Sequence, residues 1–180
     1  MSLADIVKKI ENGEITQNNE LPDGKYTTRL TAVAHNVPKG GNLDYLSFKF
    51  TVVDGEFKSR TIIMFPSLRE TKKDGSPMSE RFLANQIMMI KQIGEAVGLD
   101  VPNKCFLGDT ESDNYHEIET TFNNPEYLGK LVSVKISTTP NKQHPENPWK
   151  NYEFEKVEEK ADPFQETNNE IEVTEEDLPF

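Results

Sequence analysis

One cysteine and one tryptophan in 180 residues set the first limits. Cys105 has no second thiol to pair with, so no internal disulfide can form and stability must come from packing; a lone thiol fits a reducing compartment. Apolar residues make up only 34% of the chain, and no apolar run approaches the roughly 20 residues of a membrane-crossing helix. The first ten residues carry Asp5, Lys8 and Lys9 where a secretory signal would be apolar. The expectation is a soluble, cytoplasmic protein with no membrane partner. Basic residues are scarce as well: 20 Lys and Arg stand against 31 Asp and Glu, for a net charge of -11 and a pI near 4.8. Taken whole, that balance speaks against a nucleic-acid binder. The length allows one ordinary domain plus an appendage and excludes large multidomain enzymes.

The acidity is unevenly spread. Residues 155–180 hold ten acidic and two basic side chains, whereas residues 25–91 hold eleven basic and six acidic ones. The segment 155–180 repels itself and has too few apolar residues to offset the entropy of ordering, so it is expected to be a disordered acidic tail. Its end differs in kind. Glu175, Glu176 and Asp177 precede Leu178, Pro179 and Phe180, and an apolar ring beside carboxylates makes a compact docking peptide for a partner protein.

Alternation of period two predicts strands over residues 25–34, 45–52, 57–65, 131–138 and 150–155. The first would bury Tyr26, Leu30 and Ala32, and the second Leu46, Phe48, Phe50 and Val52. The third would set Phe57, Thr61, Ile63 and Phe65 against Lys58 and Arg60, after a hairpin turn at Asp54-Gly55, with the double Ile62-Ile63 leaving open which face is buried. Ser79 caps a predicted helix running to about Val97, with Gly98 as its stop and Phe82, Leu83, Ile87, Ile90, Ile93 and Val97 as its apolar face. Residues 116–121 read only as a short helix or strand. Five strands with a helix between the third and fourth predict a mainly β chain, folded as an OB-type barrel. The domain reading is an N-terminal segment 1–20 with a possible short helix, a barrel over 21–154 and the tail 155–180.

No enzyme site emerges. His35, His116, His144 and Cys105 are too far apart in sequence for any recognised zinc spacing, and Pro38-Lys39-Gly40-Gly41 is a turn rather than a phosphate loop. Asp109, Glu111 and Asp113 could hold a metal only with a further ligand from elsewhere. Cys105 reads as buried and inert. The expectation is a non-enzymatic protein with no metal and no cofactor.

The strand phases place Lys25, Arg29, Lys49, Lys58, Arg60 and Lys135 together on the outward sides, with Tyr45 among them. Any solvated strand face carries such residues, but jointly they suggest a groove. The stretches Leu21-Pro22-Asp23-Gly24-Lys25-Tyr26, Tyr45-Leu46 and Val53-Asp54-Gly55-Glu56-Phe57-Lys58-Ser59-Arg60-Thr61-Ile62 resemble phage-encoded single-stranded DNA-binding proteins. The terminal Glu175-Glu176-Asp177-Leu178-Pro179-Phe180 closely resembles the acidic tip of bacterial single-stranded DNA-binding proteins, with Leu178 where they usually carry isoleucine. The resemblance implies a protein that coats single-stranded DNA in phage replication, recombination or repair inside a bacterial host. It further implies recruitment of a polymerase, primase, helicase or nuclease through the tip. Such binding needs cations along the phosphates and aromatic faces under the bases. Tyr45 is the first stacking candidate, followed by Phe65, Trp149 and Tyr152; Lys39 and, before the helix, Arg69, Lys72 and Lys73 are candidate loop contacts. The competing reading is a protein-interaction module or acidic DNA mimic facing a basic partner.

Overall fold

A computed structural model describes residues 2–12, 20–40 and 43–158. Of the expected tail 155–180, Glu155 and Lys156 belong to the last strand, while the residues from 159 onward, docking tip included, lie outside the described residues. Helix α1 (Leu3–Glu11) precedes strands β1 (Gly24–Asn36), β2 (Tyr45–Val52) and β3 (Thr61–Met64). Helix α2 (Glu80–Val97), a single 3-10 turn and helix α3 (Glu111–Phe122) follow, and β4 (Leu131–Thr139) and β5 (Trp149–Lys156) complete a five-stranded antiparallel sheet of order β3-β2-β1-β4-β5.

β1 organises the sheet because it serves two partners. Gly24 to Arg29 pair with β4 and Thr28 to Asn36 pair with β2. The register slips between Leu30 and Ala32, where Thr31 is the extra residue of a bulge and its hydroxyl donates to the Lys49 carbonyl at 3.0 Å. A bulge raises the local twist and bends the strand. It also reverses the phase, so Val33 is buried beyond it and Ala32 pairs with outward Lys49, contrary to the expected placing of Ala32 in the core. The bend is large enough to bring Phe50 of β2 onto Phe154 of β5, stacked at 5.3 Å between ring centroids. In a flat sheet those strands would stand about 14 Å apart.

Curling stops short of the expected closed barrel. No backbone pairing joins β3 to β5 among the described residues. β3 keeps only four residues before Phe65-Pro66, and a proline has no N–H with which to extend a ladder. The third strand is shorter than expected at its start too. Residues 53–60 form a longer loop in which Ser59 takes a left-handed φ of 73°, while its N–H still donates to the Val52 carbonyl at 2.8 Å.

α2 begins and ends where the sequence places it. The Ser79 hydroxyl accepts from the Phe82 N–H at 3.2 Å, and Gly98 closes the helix at φ 83°, a conformation that suits glycine. The helix packs on β4 and β5. Ile90, Ile93, Ala96 and Val97 are buried, whereas Phe82 is exposed and Leu83 and Ile87 are only half-buried, so the first two turns of the expected apolar face are not core. α3 is a full helix where only a short element was expected. A capping box between Thr110 and Asp113 starts it, and Tyr115, Ile118 and Phe122 bury one side, with Phe122 edge-on to Phe48 at 5.1 Å.

Candidate nucleic-acid interface

The outer face of β2 and β3 carries the side chains that alternation turns away from the core. Register sets Thr51 beside Thr61 and Lys49 beside Ile63, with Ile62 turned inward. Register thus decides the adjacent Ile62-Ile63, whose buried face the alternation leaves open: Ile63 is 46% exposed and Phe65 is 59% exposed. Phe65 meets Tyr45, itself 42% exposed, edge-on at 5.8 Å between ring centroids. The two rings thus form an exposed apolar pair outside the core, with Ile63 exposed two residues before Phe65. Lys49 stands in the same strip, and eight residues of β2 span about 27 Å.

Around this strip the cations divide by their surroundings. Lys39 lies in the β1–β2 connection, Lys58 and Arg60 in the loop between β2 and β3 rather than on a strand, and all are exposed. Lys72 and Lys73 sit on a turn closed by the Gly75 N–H donating to the Lys72 carbonyl at 3.0 Å. Among the described residues no carboxylate pairs with Lys39, Lys49, Lys58, Lys72 or Lys73. Arg69 is half-buried on the wall of a cleft of about 370 Å³ shared with Glu70, Asp109 and Glu111, so its setting is acidic.

On the other side of β1 the picture changes. Lys25 and Lys135 are directly opposite in the β1–β4 ladder. Each is met by a carboxylate of β5: Lys25 Nζ lies 2.8 Å from Glu155 Oε2, and Lys135 Nζ 3.4 Å from Glu153 Oε2. The hydrogen bond and charge of Lys25 hold the Glu155 carboxyl below the usual carboxylate range. Arg29, between the two regions, donates from Nη1 to the Gly129 carbonyl. Trp149 starts β5 opposite Thr139 and is exposed, while Tyr152 is half-buried on the inner face opposite Ile136, which makes it a packing residue. The outward cations therefore do not form one uniform groove. Lys49 joins Tyr45 and Phe65; Lys25 and Lys135 belong to a neutralised margin.

The acidic group Asp109, Glu111 and Asp113 has separate duties. Asp113 accepts from the Thr110 N–H and hydroxyl, and Glu111 accepts from the Tyr115 hydroxyl. Burial and that carboxylate push the Tyr115 phenol up to about 12, and its oxygen accepts from the Leu68 N–H at 3.1 Å. The fold also gathers His35 and His116, remote in sequence, beside Glu119. Among the described residues no helix is long and apolar enough to cross a membrane. Compared with known proteins, the chain matches no family model and no curated protein.

Proposed function

We propose that this protein binds single-stranded DNA without sequence preference, across the outer face of β2 and β3, and has no catalytic role. The observation that carries the reading is the exposed Tyr45–Phe65 pair beside Lys49, which no carboxylate neutralises among the described residues. Every base has a π-face, so aromatic platforms accept any sequence, and cations beside them follow the phosphates. Lys39, Lys58 and Arg60 extend the strip at the loops. The strand order and the helix between β3 and β4 support a partly open OB-type sheet, a fold whose second and third strands face oligonucleotides elsewhere.

The tip, Glu175 to Phe180, supplies the second half of the proposal. It recruits replication, recombination or repair proteins to coated DNA, with Phe180 as the apolar anchor and the carboxylates meeting the partner's Lys or Arg. The setting is phage DNA metabolism in a bacterial cytoplasm. Titration of a fluorescent oligo-dT tests the interface. Tyr45→Ala and Phe65→Ala should each weaken binding by roughly 5-fold or more, since a stacked base contributes about 1–3 kcal/mol, with the salt dependence preserved. Binding equal to the parent in both variants would remove the platform from the interface.

A further inference from the structure

The geometry points to a zinc site built from His35, His116 and Glu119, which would tie the end of β1 to α3. One ring nitrogen from each histidine and one carboxylate oxygen of Glu119 lie within 4.8 Å of one another. Ligand atoms around a tetrahedral zinc stand about 3.4 Å apart, given bonds of about 2.0–2.2 Å. Adjustments of roughly an ångström, within reach of side-chain rotation at half-exposed Glu119 and exposed His116, would complete the set.

Four local contacts prepare these ligands. His35 is the anchored one, its side chain only 9% exposed, with Nε2 at 2.8 Å from Asp44 Oδ2. Asp44 also accepts from the Ser112 hydroxyl at 2.9 Å. An ionised carboxylate can only accept, so Nε2 is the donor in this contact and Nδ1 is the nitrogen left to face a metal. A histidine whose second nitrogen donates to a carboxylate is the usual supported ligand of zinc sites. Glu119 is held next: Oε1 accepts from the His35 backbone N–H at 3.1 Å, and Oε2 faces His116 Nδ1 at 3.9 Å. His116 and Glu119 are one helical turn apart on α3, so they present side by side. His116, 71% exposed, leaves the fourth position open to water.

Two imidazoles and one carboxylate suit zinc and other late first-row ions, whereas magnesium and calcium prefer all-oxygen sets. Bound there, the metal would fix the base of the β1–β2 connection, which starts after Asn36 and includes Asp44, against α3. The site rests on its own geometry and not on DNA binding, so its test reads metal alone.

Full-length protein is stripped with a chelator, dialysed and titrated with Zn²⁺ by calorimetry and with Co²⁺ by visible absorption. The expected result is one tight Zn²⁺ per chain, a Co²⁺ d–d band, and a rise in melting temperature of about 5 °C at a hundredfold excess over Kd. His116→Ala and the double variant His116→Ala/Glu119→Gln should remove the band and the shift while circular dichroism confirms the fold. His144→Ala, at the other exposed His–Glu pair, should retain both. Mg²⁺ should give no shift. Absence of stoichiometric Zn²⁺ binding by the parent would overturn the proposal, as would equal binding by the His116→Ala/Glu119→Gln variant.

Discussion

If the β5 carboxylates offset the charges of Lys25 and Lys135, replacing those carboxylates should recruit that margin to DNA. The perturbation is Glu153→Gln with Glu155→Gln, which preserves shape and removes two negative charges, taking the net charge from -11 to -9. Both pairs are exposed, at 2.8 Å and 3.4 Å, and solvent screens exposed pairs so that they contribute little to stability, so the fold should survive with a small change in melting temperature. The effect on binding is larger. Each phosphate neutralised on a single strand adds about 0.7 to the slope of log affinity against log salt, so two freed lysines add about 1.4. Between about 50 and 200 mM salt, that steepening amounts to roughly a further 7-fold loss of affinity. Anisotropy of a labelled oligo-dT across that range measures it directly. The variant should bind more tightly than the parent at the low end, with a steeper slope, and converge with it at the high end. An unchanged slope together with unchanged affinity at low salt would refute the reasoning, because it would mean that the strand never reaches β4 and β5.

Gly94→Ala should lower the melting temperature even though alanine is the better helix former. The added Cβ would sit 2.4 Å from Val101 Cγ2 and 2.7 Å from the Leu99 carbonyl, and overpacking of about 1–3 kcal/mol outweighs a propensity gain of about 1 kcal/mol; a raised melting temperature would contradict it. Phe154→Ala should cost about 3 kcal/mol or more in denaturant unfolding, since Phe154 is the buried residue of β5 and stacks on Phe50; a loss under about 1 kcal/mol would mean that β5 does not close the core. Deleting residues 172–180 should tighten DNA binding at low salt only, by removing a screened competitor for the cationic strip. Phe180→Ala should lose host-lysate partners in a pull-down without altering DNA affinity, and identical captured sets would dismiss the tip as a docking peptide.

Much of the fold is legible where local pattern and tertiary role agree. β2 alternates without a break from Tyr45 to Val52, and every second residue is indeed buried. α2 announces both ends through Ser79 and Gly98. Legibility fails where one residue changes the phase. Thr31 inserts a bulge that no composition rule marks, and the exchange of Ala32 for Val33 in the core follows from it. At Ile62-Ile63 two β-branched residues in succession leave the face undecided until the register with β2 turns Ile63 outward. α3 is written in the sequence by Thr110 and Asp113 at capping-box spacing and by Tyr115, Ile118 and Phe122 on one face, but the polar and acidic residues between them mask so narrow an apolar stripe. The candidate interface is legible in Tyr45 and Lys49 and hidden in its margin, because the Lys25–Glu155 pair spans 130 positions and exists only through the register of β1, β4 and β5. Distance along the chain likewise conceals the meeting of His35 with His116.

The central claim is preference for single strands, and one titration tests it most directly. Folded full-length protein is added to fluorescent oligo-dT and, in parallel, to a duplex of equal length, at low and at physiological salt. The account predicts binding to oligo-dT that weakens as salt rises, and much weaker binding to the duplex, whose bases are already stacked and cannot lie on Tyr45 and Phe65. No detectable binding to oligo-dT at low salt, or equal affinity for the duplex, would contradict it.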